Sequence, residues 1–545
     1  MRGNLAQRRL RPNSQTTRSE GTPAPVQGIV ADSPIYSAVS EGLQSAVFMD
    51  NIVPGEYGCR IRPGSKEFAT NLGTVGTGVR TIMYYNSQVS QAAGGQDFLF
   101  ATTRDGIFDI TAGGEGPWVP VLVWPSTAED AGWCSHLNFT TDNGDHYLLV
   151  ADEANGYYFF NGTVWAQGSF TPGDPDPEDV VYITEWANRV WFVERNTTKA
   201  WYTATLGGIQ GNLTPLDFGT RFGKGGHLVQ LARWTIDAGD SIDDKLVAVS
   251  SSGDVLVWEG NNPDSVTGIK LVGRWFVGKV PEGRRVMSDW GGDVTITSSQ
   301  GVTQLSELLQ GLANQVSTGL TKKISKYFRE AVDLRGDEYG WGFERFPVEG
   351  FALLLVPEFG TRKAYQFVIN TLTGAWCTFR DLDMVCMDNS NFGFFFGTHD
   401  GRVLELTSEA TVDDIPLAET GAAKTIKYNL LTHYTHFGTP AEWKRGQFVR
   451  PIFIGDAAPT YNCILRYDFD LSPPPGAIPY LPSSTSKWDE GLWNIGVWGG
   501  EAQNYNVLGG LNGMGRHIAI ALNGETSSKL GLIGFDLMFD SGGML

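Results

Sequence analysis

The sequence predicts an all-β fold, a β-propeller-like repeat of hairpins with an additional antiparallel β domain. Three observations carry this. Glycine is abundant at 68 of 545 residues and aromatic residues make up 12%, a composition that favours short strands and tight turns over helices. Short apolar runs recur on either side of Gly-, Asn- or Asp-bearing turns. The turns follow one another at intervals of roughly 40 to 60 residues, the length of one four-stranded blade. A toroid of blades also hides its strand edges by circular repetition. A pair of β-sandwiches is the competing arrangement of the same strands.

The chain opens with "MRGNLAQRRLRPNSQTTRSEGTPAPVQG", in which Arg2, Arg8, Arg9, Arg11 and Arg18 are followed by no hydrophobic stretch. This is not a secretory signal, and its polarity with Pro and Gly predicts a flexible basic arm over residues 1–30. Residues 35–54 read as an extended or briefly helical lead-in. In "EYGCRIRPGSKEFATNLG" (56–73), Tyr57, Cys59 and Ile61 alternate with Gly58, Arg60 and Arg62, predicting a short half-buried strand. Pro63-Gly64 then predicts a tight turn.

The propeller-like domain is expected over 31–415. Its hairpins are "FLFATTRDGIFDIT" turning at Asp105-Gly106 and "YLLVADEANGYYFFNGTVW" turning at Asn155-Gly156. Next come "RVWFVERNTTKAWYTAT" at Asn196, "LVAVSSSGDVLVWEG" at Gly253 and "VTITSSQGVTQLSEL" at Gly301. The last two are "FALLLVPEFGTRKAYQFVINTLTGAWCTF" (351–379) near Gly360 and Thr361 and "FGFFFGTHDGRVLELT" at Asp400-Gly401. Asn-Gly and Asp-Gly corners accept positive φ, which hairpin turns require. Between 306 and 334 lies a helical insertion with Leu308, Leu309, Leu312, Ile324, Tyr327 and Phe328 on its apolar faces, expected to pack on the outside of the sheets. Alternating strands after 416, a joint at Pro473-Pro474-Pro475 and a loop with Trp488, Trp493 and Trp498 predict a separate antiparallel module over 416–545.

Charge and cysteine content narrow the function. The net charge of −19 makes a surface that repels nucleic acid, so gripping DNA or RNA over the whole body is disfavoured. Cys59, Cys134, Cys377, Cys386 and Cys463 are odd in number and scattered, against a zinc site or a disulfide framework. They read as reduced, buried thiols of a protein assembled in a cytoplasm. No apolar run reaches the ~20 residues of a membrane span.

Each candidate for chemistry has a structural reading beside it. Lys66 is followed by Glu67 rather than Ser or Thr, so the opening stretch is no phosphate loop. "DAGDSIDD" offers Asp237, Asp240, Asp243 and Asp244 without the alternate spacing of a calcium loop. His433 and His436 would point to opposite faces of a strand. "TRFGKGGHL" has Lys224 without a following hydroxyl and reads as a connection. Thr140, Asp142, Gly144 and Tyr147 approximate, once, the turn repeated in propeller sialidases, which resemble this layout. No catalytic, cofactor-binding or metal-binding residue is assigned, and no cofactor is expected.

The segments "NIVPGEYGCRIRPGSKEFATNLG", "VRTIMYY", "DFLFATTRDGIFDIT", "NRVWFVERNTTKAWYTAT", "TIDAGDSIDDKLVAVSSSGDVLVWEGNNP", "LVGRWFVGKV" and "LGLIGFDLMFDSGGML" occur in this order. This succession, from about residue 30 to the end, resembles the tail nozzle or tail hub (packaged-DNA stabilisation) proteins of short-tailed bacteriophages. The resemblance implies a non-enzymatic virion structural protein of the viral tail, assembled in the bacterial host cytoplasm. It implies a ring homo-oligomer, a hexamer in that family, below the portal and the head-to-tail adaptor protein. Further partners are tail fibre or tailspike and tail needle proteins, with packaged DNA retained in and ejected through the lumen without specific binding. Arg60, Arg62 and Lys66 would then be available to an acidic neighbouring subunit. A glycan-binding or glycan-hydrolysing β-propeller for host recognition, and a monomeric propeller scaffold, are the alternatives.

Overall fold

The structure, a computed structural model, describes residues 16–31, 44–74, 76–88, 95–237, 242–265, 268–310, 319–418, 421–471, 503–505, 509–510 and 513–542. The chain forms two units. One is Pro63–Gly374 with Thr378–Lys424; the other combines Met1–Arg62, Ala375–Cys377 and Thr425–Leu545.

The first unit is a seven-bladed β-propeller. Blade 1 is Thr81–Tyr85, Phe98–Thr103, Gly106–Asp109 and Leu122–Val123; blade 2 is Cys134–Thr140, His146–Asp152, Gly156–Phe160 and Trp165–Gln167. Blade 3 is Val180–Trp186, Arg189–Glu194, Lys199–Thr203 and Leu213–Asp217; blade 4 is Leu228–Asp237, Ile242–Ser250, Asp254–Gly260 and Ile269–Phe276. Blade 5 has Met287–Asp289, Val294–Ser298 and Gly301–Gln304, and blade 6 has Gly342–Phe346, Phe351–Val356 and Tyr365–Asn370. Blade 7 is Cys386–Ser390, Gly393–Gly397 and Val403–Thr407, completed by Gly64–Thr70 from the start of the unit. Each of the seven expected hairpins is the second-and-third-strand hairpin of one blade.

Blade hairpins are apolar on both sides because each sheet is covered by a neighbour on both faces. Leu148 and Val150 pack against Phe100 and Ile107 of blade 1, while Leu149 and Ala151 between them pack against Val190 and Phe192 of blade 3. Trp186 and Trp191 of blade 3 meet Leu231, Leu246 and Leu256 of blade 4. Burying each such side chain contributes about 1.5–3 kcal/mol, so the interfaces between blades are where the ring gains its stability. At the turn of blade 2, Gly156 has φ +80 and its missing Cβ would meet the backbone of Pro177 and Glu178, so glycine is required twice over.

The ring closes through the opening stretch. Gly64–Thr70 lies antiparallel to Val403–Thr407, with Lys66 opposite Glu405 and Ala69 opposite Val403. Arg402 Nη1 lies 2.9 Å from Glu67 Oε1 and its Nε 2.8 Å from Asp400 Oδ2, pinning the seam. The expected turn at Pro63-Gly64 is instead the start of this closing strand. Gly64 is needed there for space: a Cβ would run into the backbone of Val412.

The helical stretch buries one apolar face and leaves Lys326, Arg329, Glu330 and Asp333 exposed. In Leu305–Leu309, Leu305 and Leu308 are buried in the core of blades 4 and 5. Ser325–Arg335 buries Ser325, Phe328, Ala331, Val332 and Arg335, a stripe at helical spacing, and Phe328 sits edge-on to Trp341. Ile324 is fully buried and Tyr327 half-buried; Leu312 lies outside the described residues.

The second unit is a β-sandwich. In one sheet Leu530–Ser541 pairs antiparallel with Lys444–Gly455 on one side and with Thr16–Pro23 and Cys59–Ile61 on the other. In the other, Ser45–Asp50, Ile426–Thr432, Ile518–Thr526 and Thr460–Tyr467 follow in antiparallel order. Tyr428 and Tyr461 of the second sheet close on Phe453 of the first, at 6.5 and 5.2 Å between ring centroids. The expected boundaries at 30/31 and 415/416 therefore shift. Residues 16–23 are no loose arm but a strand, held by eight ladder positions from Thr16–Ser541 to Pro23–Gly534. Residues 44–62 belong with the C-terminal strands. Pro473 to Pro475 and the three tryptophans of the loop lie outside the described residues.

Candidate functional site

The first strand of every blade contributes to one axial cavity of about 330 Å³, lined among others by Thr81, Ser135, Tyr182, Gln230, Asp289, Glu344 and Asp388. First strands are the inner ones, so their polar residues face the axis while the apolar alternates face neighbouring blades. Cys134–Thr140 ("CSHLNFT") brings Cys134, Ser135 and His136 to the cavity, with Cys134 also packed in the core of blades 1 and 2.

Two arginines before blade 5 span this region. Arg285 Nη2 donates to Thr81 Oγ1 at 2.7 Å and to the Arg80 carbonyl at 3.1 Å, reaching blade 1, and its guanidinium lies 5.3 Å from the Trp133 ring centroid. Arg284 Nε donates to Glu153 Oε1 of blade 2 at 2.7 Å, and its Nη1 to the Leu228 and Val229 carbonyls of blade 4 at 3.0 and 3.1 Å. Blades 1 and 2 stand on the far side of the ring from blade 5. Both side chains are therefore struts between blades that are not neighbours.

Burial sets the ionisation of the lining. It pushes Asp388 up to about 7, with Arg285 opposing, and Glu344 up to about 8, with help from Asp388 and Asp289. It pulls His136 down to about 4, aided by Arg285. His136 Nε2 stands 4.0 Å from Asp388 Oδ1, but a histidine this depressed is neutral near pH 7 and makes no ion pair there. Burial also raises the thiols of Cys386, to about 12, and Cys134, so the cavity presents no thiolate. Among the described residues no group of three metal-ligating side chains converges. What this arrangement offers is binding by buried acids.

Outside it lies a wider depression of about 680 Å³ with Trp133, Tyr339, Glu358 and His399 in its wall. Tyr339 stacks on Trp133 at 5.8 Å, and the Arg80 guanidinium lies 5.8 Å from the same ring centroid. His399 Nδ1 is 2.6 Å from Asp383 Oδ1; burial pulls the histidine down, but Asp383 and Glu358 outweigh it and leave it raised.

The residues singled out in the sequence lie elsewhere. Asp244 sits in a blade 4 strand and pairs with Arg233 at 3.0 Å. Asp237 ends the preceding strand, Asp243 lies in the next, and Asp240 is outside the described residues. His433 is buried beside Ser45 Oγ at 2.9 Å, and His436 is buried in the same unit. The Lys224 backbone N–H caps Asp254 Oδ2 at 2.6 Å in the connection from blade 3 to blade 4. Asp142 lies in the turn after Cys134–Thr140, with Gly144 at φ +86, and accepts from Asn188 Nδ2 at 3.1 Å; Thr140 and Tyr147 flank that turn.

Of the three opening cations, Arg62 is corrected. It is only 2% exposed and its Nε donates to Asn51 Oδ1 at 2.9 Å, so it is not available to a neighbour. Lys66 pairs with Glu409 at 2.9 Å, and Arg60 is exposed. The cavity residues escaped the sequence reading. Their signal is polar side chains inside otherwise apolar inner strands, as in "CSHLNFT", "GFERF" and "CMDNS".

No family model matches the sequence, and a search of curated proteins returns no match. Among solved structures, BBS1N in complex with ARL6DN, soaked with mercury, aligns with a TM-score of 0.29 and 14% identity over 45% of this chain and 73% of that chain. The same complex soaked with lead aligns with a TM-score of 0.27 and 14% identity over 45% and 74%. The AfRom2 CNH domain aligns with a TM-score of 0.28 and 10% identity over 54% and 89%. No argument rests on these alignments; the propeller stands on its own strand pairing.

Proposed function

We propose that the chain is a non-catalytic structural subunit of the tail of a short-tailed bacteriophage, in the nozzle or hub ring that retains packaged DNA and guides its ejection. The observation that carries this reading is the ordered succession of segments from "NIVPGEYGCRIRPGSKEFATNLG" to "LGLIGFDLMFDSGGML". Two physical features support it. A net charge of −19 per copy discourages the Lys/Arg–phosphate contacts that would stall a moving genome. A closed ring of packed blades is a stiff building block.

The axial cavity is too small for the passage. It measures about 330 Å³ and Arg285 reaches over it, whereas the major groove of duplex DNA alone is about 12 Å wide. On this reading the DNA conduit runs between copies, lined by outer surfaces of the subunits, and the adaptor, fibre or tailspike and needle proteins contact those surfaces. Glycan binding is less well supported, because the indole in the wide depression is already engaged by Tyr339, Arg80 and Arg285.

Cryo-electron microscopy of the purified chain and of the virion tests the proposal. The expected result is a ring of copies on the portal axis. A lone monomer with no density in the tail, or turnover of a polysaccharide by the purified chain, would overturn it.

A further inference from the structure

Three carboxyl groups, Asp289, Glu344 and Asp388, line the axial cavity from blades 5, 6 and 7. Asp388 Oδ2 is enclosed without a hydrogen-bond partner, and so is the Oγ of Ser135, whose residue is only 9% exposed. Both residues line the same cavity, Ser135 from blade 2. Buried polar atoms in native proteins are nearly always partnered, because leaving one unmet forfeits its hydration without replacement. The cations nearby do not meet the need. Arg284 is committed to Glu153, and Arg285 directs its Nη2 to Thr81 Oγ1 and to backbone carbonyls. Gln230 and Tyr182, also in the lining, bond each other at 3.1 Å.

We propose that the axial cavity is a binding site for a small organic dication, a primary diamine whose ammonium groups donate hydrogen bonds to Asp388, Glu344 and the Ser135 hydroxyl. Three observations select this class. The unmet groups are the Asp388 and Ser135 oxygens, and the carboxylate is an acceptor once ionised, so the missing partner is a donor. The acids outnumber the uncommitted positive charge, so the donor is cationic. Among the described residues no three ligating side chains converge as a metal needs, so the cation carries its charge at separated points.

Proton linkage follows from the groups facing the site: Glu344, Asp388 and Asp289, with Arg284 and Arg285 as the positive charges in the lining, Arg345 acting on Glu344 from the next position, and His136 neutral. Burial leaves Asp388 at about 7 and Glu344 at about 8, so both carry protons part of the time near neutrality. A dication favours their ionised forms. Binding therefore strengthens as pH rises through this range and expels protons.

The test is isothermal titration calorimetry of the full chain with 1,4-diaminobutane, against 1,4-butanediol as the neutral isostere, in buffers of different ionisation heat. The expected result is saturable diamine binding, with the diol at least roughly tenfold weaker, since a charge-assisted hydrogen bond is worth about 1.5–3 kcal/mol. Affinity should rise from pH 6 to pH 8.5 with measurable proton release. Asp388→Asn and Glu344→Gln should each weaken the diamine at least roughly fivefold. No binding at about 10 mM diamine, equal affinity for the diol, or unchanged affinity in both variants would overturn the proposal. Should a variant fail to fold, the diol comparison and proton release of the unaltered chain decide alone.

Discussion

Replacing Arg284 with methionine keeps much of the side-chain stem and removes a guanidinium held among three blades. The lost contacts are the 2.7 Å bond to Glu153 and those at 3.0 and 3.1 Å to the Leu228 and Val229 carbonyls. Side-chain exposure is 10% for Arg284 and 5% for Glu153, so water cannot substitute. Removing one member of a buried pair costs about 3–5 kcal/mol, because the remaining charge is stranded.

Glu153 has one escape, which is to take up a proton. Burial already raises its pKa and Arg284 is the chief restraint, so the variant raises it further. A carboxyl raised above its unfolded value of about 4.3 favours folding at low pH and loses that advantage as pH climbs through the folded value. The penalty of Arg284→Met should therefore be largest at pH 8.5 and smaller at pH 5.5. Thermal unfolding followed by tryptophan fluorescence should show a fall of roughly 5 °C or more at pH 8.5. Adding Glu153→Gln should recover part of the loss at pH 8.5 and little at pH 5.5. A fall below roughly 1 °C, or the same fall at both pH values, would refute the assignment of this pair as a strut.

Three other outcomes can be checked directly. The thiols of Cys59 and Cys386 are pushed up to about 12 by burial, and those of Cys134, Cys377 and Cys463 are raised by the same cause, so iodoacetamide at pH 7.5 should label none in the folded chain and all five in urea. Gly64→Val should drive a side chain into the Val412 backbone and loosen the seam, making the bond after Lys66 open to trypsin in the variant under conditions that spare the original chain. Phe192→Ala, at a fully buried site between blades 2 and 3, should cost about 3–5 kcal/mol in urea unfolding of the propeller.

The seven hairpins were legible because a hairpin is written in consecutive residues: an Asp-Gly or Asn-Gly corner between two apolar runs. The seam of the ring was not. Gly64–Thr70 pairs with residues more than 330 positions later, and nothing in "GSKEFAT" names its partner. Thr16–Pro23 was missed for a related reason. "TTRSEGTP" has one Pro, one Gly and little apolar character, and becomes a strand because Leu530–Ser541 offers a free edge. The amphipathic spacing of the helical stretch foretold that one face is buried, but not that Leu305 and Leu308 enter the core of blades 4 and 5. Arg62 was misjudged similarly: its alternation with Ile61 suggested exposure, whereas Asn51, at φ +59, turns to receive it. The cavity is assembled from one to three residues of each of seven strands, a pattern no local window contains.

The sandwich draws its strands from both flanks of the propeller, since Thr16–Pro23 needs Leu530–Ser541 as its neighbour. During synthesis the propeller has all its strands once residue 407 has emerged, while the sandwich must wait for roughly 130 further residues. A subunit released early would thus carry a finished ring of blades and an unmade second body. Any contact between copies that relied on the sandwich could form only after those later strands had emerged, well after the blades were complete.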